Sequence, residues 1–298
     1  MIKKCKFYMN MIYKIMKKEV VDVADYKASY NDVASTYECW VEKMGKFTDY
    51  IIKPQYVCEK INNKNEPIKV LDFACGTGYI SRKLLLSSVP CEITAVDLSD
   101  KMLEVCNDLS LQGVDLINMD GMTFLENTSE QFDMILCGWA LPYFSHNKLL
   151  NNFGKVLKKD GVIGIIANSK GTLDEMERIF LKVMETNPQE VNKPMNIAFN
   201  LPNGEKGLKQ WFEKQGFYPL ELYEGERVFS FDTGEALLDW LNQTGVMAGT
   251  KMIFKDYDKV KGQLIEEIKK LKYDNGKYNI NHKFVYGIFT QGGQHEHN

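Results

Sequence analysis

The sequence has no apolar run near the ~20 residues that a membrane-spanning helix needs. It has no CxxC pair among its seven cysteines and no surplus of basic charge. Each lack closes off a class of protein. The odd set Cys5, Cys39, Cys58, Cys75, Cys91, Cys106 and Cys137 sits mostly within apolar stretches such as VLDFACG and MILCGW. Such placement reads as reduced, buried thiols in the cytoplasm, not a disulfide framework or a zinc site. Histidine is scarce. His146 and His282 lie in the body of the chain, while His295 and His297 flank Glu296 in the terminal stretch QGGQHEHN. That stretch reads as a mobile, solvated tail, so no metal site is expected. Lys and Arg number 37 against 40 Asp and Glu, a net charge of −3. With no basic stripe, a nucleic-acid partner is not expected. Neither is a membrane partner.

What is present is a globular composition, 44% hydrophobic and 26% charged in 298 residues. That is enough chain for a large core without cross-links. Residues 1–20 form a basic N-terminal extension in which lysines interrupt the apolar run and no small-residue cleavage site follows. It reads as a frayed end or short surface helix and not a secretory signal, and Met16 is a second possible translation start. From about residue 66 the pattern alternates. IKVLDFA (68–74), CEITAVD (91–97), VDLINMD (114–120), FDMILCGW (132–139) and GVIGIIAN (161–168) are strand candidates, each followed by a helical pattern. HNKLLNNFGKVLKKDG reads as a helix ending in a turn. This alternation predicts a Rossmann-like, doubly wound α/β fold with a mostly parallel sheet. KFVYGIFTQ supplies an antiparallel closing strand, and a helical insertion comes late in the chain. The expected layout is a single domain over 21–290, with an N-terminal segment 21–60, a ligand-binding core 66–170, an insertion or cap at about 190–275, and the tail 291–298.

The informative stretch is Asp72-Phe73-Ala74-Cys75-Gly76-Thr77-Gly78, joining the first strand to its helix. In open α/β sheets ligands bind at this carboxyl edge. Gly76 and Gly78 allow a sharp turn and close approach of a ligand. GxG alone is weak evidence, and a dinucleotide site is the rival reading. Against it, Ser81 stands where the third glycine belongs, and Asp72 would repel a pyrophosphate. Asp97 suits a ribose in either reading, but a dinucleotide leaves Asp72 and Asp120 unexplained. A nucleoside with a cationic amino-acid tail accounts for all three. Asp72 would face the ammonium, Asp97 the ribose hydroxyls and Asp120 the adenine amino group, with Leu98 and Met122 flanking the purine. S-adenosylmethionine has this chemistry.

VLDFACGTGYIS, AVDLSDKML, NMDGMTF, FDMILCGWALPYF and VLKKDGVIGII, in that order, resemble the successive motifs of class I S-adenosylmethionine-dependent methyltransferases, in particular the small-molecule branch. The resemblance covers about residues 20–170. It implies cofactor contacts at Tyr30, Tyr37, Asp72, Ala74, Gly76, Gly78, Asp97, Leu98, Met102, Asp120, Gly121, Met122, Cys137 and Trp139. DYKASYNDVASTYECW is similar to the family's N-terminal lid, which would set Tyr30 and Tyr37 above the methionine part; an amphipathic helix is the alternative. Cys75 departs from the family, where Gly is common; it should fit, narrowing the loop. Tyr143 and His146 are the catalytic candidates, to orient an acceptor or take a proton. ALPYF lacks the polar-Pro-Pro clamp of enzymes that methylate flipped bases. The implied activity is methyl transfer to O, N or C of a small molecule or carrier-bound acyl acceptor. The layout also resembles malonyl-carrier-protein carboxyl methyltransferases. Trp211 and Trp240 are candidates for the acceptor wall. The alternatives are a cofactor-binding protein that acts through interaction and a nicotinamide-dependent oxidoreductase.

Overall fold

A computed structural model describes residues 2–58, 66–108, 113–196 and 199–292. Most of the expected mobile tail, with His295 and His297, lies outside the described residues. The chain separates into two units. One gathers residues 1–37, 171–199 and 227–282; the other gathers 38–170, 200–226 and 283–298. The segment 21–60 read as one lid is therefore shared between them, and so is the late segment 190–275.

The second unit holds the alternating strands and helices. Its elements begin with α3 (Glu38–Thr48), α4 (Gln55–Cys58), β1 (Ile68–Phe73), α5 (Tyr79–Leu85), β2 (Cys91–Asp97) and α6 (Asp100–Asp108). They continue with β3 (Val114–Asn118), α7 (Gly121–Asn127), β4 (Phe132–Gly138), α8 (His146–Val156) and β5 (Leu157–Asn168). α10 (Gly204–Glu213), the first part of β6 (Phe217–Phe231) and the last part of β8 (Lys277–Gln291) complete it. The strand order is β3-β2-β1-β4-β5-β8-β6. β1 to β5 pair in parallel, and β8 runs antiparallel to β5, with Val162 opposite Thr290 and Asn168 opposite Phe284. The expected mostly parallel sheet with an antiparallel closing strand is thus observed. The order reverses between β1 and β4. At that switch point the connections leave in opposite directions and open a crevice at the strands' carboxyl ends.

The core explains why these segments are strands. Val70, Leu71, Phe73, Ile135, Leu136, Ile163 and Ile165 are wholly buried, as a sheet covered on both faces requires. Phe73 packs against Phe144 and Phe153, at centroid distances of 5.2 and 5.1 Å. Phe212 of α10 stacks on Phe289 of β8 at 3.7 Å. One boundary differs from the sequence reading. Leu157–Asp160, expected as a helix end and turn, already belongs to β5. Asp160 takes a left-handed φ of 67°, and the β4–β5 register shifts between Phe132 and Met134, so the extra residues are absorbed as an irregularity within the strand.

The first unit contains α1 (Ile2–Met16), α2 (Val23–Val33), α9 (Met176–Thr186), α11 (Gly234–Gln243), α12 (Tyr257–Leu271) and β7 (Tyr273–Asp274). A capping box starts α2: Asp22 accepts from the Ala24 and Asp25 amides while Asp25 accepts from the Asp22 amide. β7 pairs with Tyr278 and Lys277 of β8. His282 is fully buried there, and burial pulls its pKa down to about 3, so it is a neutral packing residue.

The buried-thiol reading holds for some cysteines only. Cys75, Cys106 and Cys137 are buried and Cys58 and Cys91 half-buried, but Cys39 is exposed; all six are free thiols.

Candidate active site

The loop after β1 reaches the switch point on glycines and strained backbone. Gly76 and Gly78 have φ of 55° and 78°, in the left-handed region. Ala74 shares it, with φ of 55°. A side chain there costs roughly 1–2 kcal/mol relative to glycine. This strain falls on Ala74, next to the Cys75 that departs from the family. Cys75 is not among the left-handed residues, and its side chain packs with Ala95 and Leu103. It fits as part of the packing.

Asp72 and Asp97 hold this loop from two sides. Asp97, at the end of β2, accepts the Gly76 amide with Oδ2 and the Ser99 amide with Oδ1, both at 2.8 Å. Ser99 in turn caps α6 through the Met102 amide, 3.0 Å away. The Asp97 pKa is raised by burial, against the opposing pull of the backbone amides. Asp72 is fully buried. Its Oδ2 accepts from the Ser81 hydroxyl at 2.6 Å and the Ser81 amide at 3.1 Å, while Oδ1 has no partner. Burial pushes its pKa up to about 7, Ser81 lowers it, and the charge of Asp97 adds to the rise. Thr77 Oγ1, in the same loop, is also buried without a partner. Orphaned buried acceptors are costly. Unfilled acceptor positions beside a left-handed glycine turn fit a ligand that brings donors and positive charge.

Asp120 has a part in local structure as well. Its Oδ1 accepts the Thr123 amide and hydroxyl, capping α7. Gly121 follows because nothing larger fits: a Cβ there would lie 2.5 Å from the Phe73 ring. Met122 and Ala74 are half-buried against the main core, and Leu98 is half-buried. Met102 and Cys137 are enclosed, and burial pushes the Cys137 thiol up to about 12. Their side chains belong to the packing beneath the strand ends.

After β4 the chain turns through Trp139, another left-handed residue, with φ of 66°. Its indole N–H donates to Thr48 Oγ1 at 2.9 Å, and its ring meets Trp40 and Phe284 edge-on. A bulky residue held in this region is a sign of a constrained site. Tyr143 closes a single 3-10 turn, Leu141–Tyr143. His146, the first residue of α8, lies flat on Trp211 of α10, with ring centroids 3.9 Å apart and an angle of 4°. Asn200 Nδ2 sits 3.0 Å from His146 Nδ1. With the amide donating, the neutral ring carries its proton on Nε2. Burial and the Lys214 charge lower the His146 pKa. Neither the stack nor the Asn200 bond was visible in the sequence. Their partners stand 65 and 54 residues away from His146, and only the aromatic at Trp211 gave a hint.

Tyr30 and Tyr37 belong to the first unit, where their rings meet edge-on at 6.3 Å. Trp240 lies there too, against Phe229 and Phe231. Among the described residues no group of three or more His, Cys, Asp or Glu could hold a metal ion.

The fold defines the class. Residues 70–161 match the model of the methyltransferase domain family. A structure from Bacillus halodurans C-125, assigned by inference as a methyltransferase, aligns over 80% of this chain and 98% of that one, at TM-score 0.50 and 19% identity. The [4+2]-cyclase SpnF aligns over 85% of this chain and 83% of its own, at TM-score 0.50 and 14% identity. These two likenesses concern the fold. In sequence, a demethylmenaquinone methyltransferase of Leptospira interrogans is 29% identical over 150 residues, 47% of this chain and 60% of that protein. A malonyl-[acyl-carrier protein] O-methyltransferase of Priestia megaterium is 27% identical over 158 residues, 52% of this chain and 55% of that protein. The chain thus spans a little over half the length of these curated relatives. Through residues 70–161, the segment that carries the site, the chain holds a methyltransferase domain.

Proposed function

We propose that the chain is an S-adenosylmethionine-dependent methyltransferase of the small-molecule branch, acting on a free metabolite or a carrier-bound acyl group. The observation that carries this reading is the pair Asp72 and Asp97 bracketing a left-handed glycine turn, with Asp72 Oδ1 unpartnered. When bound, the cofactor supplies a methyl carbon activated by a sulfonium. The chain's part is to bind and align. Asp72 offers a carboxylate to the ammonium. Asp97 keeps lone pairs for the ribose hydroxyls while fixing the loop. Asp120 Oδ2 is the acceptor for the adenine amino group, and Leu98 and Met122 flank the ring. Trp139, fixed by Thr48, walls the acceptor side, with Tyr143 and His146 beyond it.

Alignment is the larger contribution. Well-oriented proximity supplies roughly 7–11 kcal/mol. A general base adds ~10²–10⁴-fold, or about 3–5 kcal/mol at 1.36 per decade. An ionised acceptor needs no base. The names of the relatives above, one acting on demethylmenaquinone and one on malonyl-carrier protein, mark two acceptor chemistries to try first.

Calorimetry with S-adenosylmethionine, S-adenosylhomocysteine and NADH tests the cofactor. The first two should bind and NADH should not; the reverse pattern sinks the proposal. The second reading is a cofactor-binding protein without transfer. It is kept open because the same fold carries a cyclase, so fold alone does not fix the reaction. Release of S-adenosylhomocysteine with a phenolic or carboxylate acceptor rejects it.

A further inference from the structure

Helix α1 has two unlike sides. Phe7 is buried, and Met11 and Lys14 are half-buried. Tyr8, at the edge, donates to Glu185 of α9, and the other side carries Met9, Ile12, Tyr13, Ile15 and Met16, all exposed; Met9, Ile12 and Met16 are 65%, 57% and 78% open. The spacing 9, 12, 13, 16 places them in one stripe along the helix. Residues 1–20 contain six lysines and one acid, Glu19, a net charge of +5 in a chain of net charge −3. Lys6, Lys17 and Lys18 are exposed around the stripe. Exposed methionine, isoleucine and tyrosine on this scale mark a surface that something covers.

We propose that α1 lies in the surface of an anionic phospholipid bilayer, apolar stripe inward and lysines at the headgroups. A wide apolar face edged by lysines matches a negatively charged surface with a greasy interior. A second copy fits poorly, since self-pairing along this face would set one lysine-rich rim against another. No helix of the described residues is long and apolar enough to cross a membrane. The expectation that no membrane partner exists rested on the lack of such a span, and a helix lying in the surface needs none. This inference is independent of the reaction proposed above.

The full chain should be sedimented with vesicles of phosphatidylglycerol and phosphatidylcholine, and with phosphatidylcholine alone. It should pellet with the first, weakly or not at all with the second, and less as salt rises. The exposed double variant Ile12→Asp/Met16→Asp should bind at least about tenfold more weakly. Lys17→Glu/Lys18→Glu should lose roughly fivefold per charge removed. An unchanged thermal melt establishes that both variants fold. Three results overturn the proposal: no pelleting of the parent, pelleting of both variants equal to the parent's, or a concentration-dependent dimer that the Ile12→Asp/Met16→Asp variant abolishes.

Discussion

The loop after β1 and the turn after β4 reach the same edge of the sheet by different means. The first is made of backbone: glycines, a strained alanine and amides held by Asp97. The second is made of side chains, with Trp139 tied to Thr48 and His146 stacked on Trp211. A backbone cradle serves any chain that binds one constant ligand. Aromatic walls can be exchanged without rebuilding the fold, which suits a ligand that varies between relatives. The first region should therefore decide cofactor affinity, and the second should decide acceptor choice.

The largest effect should come from Asp97. Losing two hydrogen bonds to a charged group costs about 3–6 kcal/mol at 1.5–3 each. Asp97→Ala should weaken S-adenosylhomocysteine binding by at least about 10²-fold in calorimetry. Because Asp97 also holds Gly76 and Ser99, a thermal melt must accompany the titration. Unchanged affinity in a folded variant removes the ribose assignment.

Asp72 comes next, through pH. Its folded pKa, about 7, lies above the ordinary carboxyl value of 3.8, so the protonated form is favoured on folding. The free protein should hold this contribution fully below about pH 4 and lose it as pH rises through about 7. Cofactor affinity should move the opposite way. The ammonium needs the ionised carboxylate, so affinity should fall toward tenfold per unit below about pH 7. Asp72→Asn should flatten both profiles; a parent already flat between pH 5 and 8 would exclude the pairing.

On the acceptor side the effects should be smaller. His146→Ala and Tyr143→Phe should each lose less than ~10²-fold in turnover, below the usual general-base range. Complete loss in His146→Ala, with both ligands bound, would make His146 the base. Smallest of all, Trp211→Ala should open the ring to water and let the His146 pKa rise toward its ordinary 6.5, since burial is the main cause of its depression. An NMR titration of the His146 ring reads this directly.

The comparison also explains what could be read in advance. Asp72, Gly76, Gly78 and Asp97 carry their chemistry within short, ordered motifs, because a strand end and the next turn are adjacent in sequence. The parallel strands were legible for a similar reason, as apolar runs between helical patterns. His146 was singled out by its place after the fourth strand, but its partners were not, since Trp211 and Asn200 come from distant segments. The interleaving of the two units was hidden too: three separate stretches make up each, and no composition change marks the crossings. Trp139 showed its aromatic character but not its left-handed backbone, which local residue preference argues against. The exchange at Cys75 was legible in the sequence, but the loop's left-handed demand falls on Ala74, which spacing alone did not show.

Ala74 also limits how this loop can change. Its methyl group sits where glycine alone is at ease, so every larger residue adds strain while glycine removes it. Tolerance at this position therefore runs in one direction. The chain sits one exchange away from a more relaxed loop, and the alanine withholds from it the freedom that a third glycine would give.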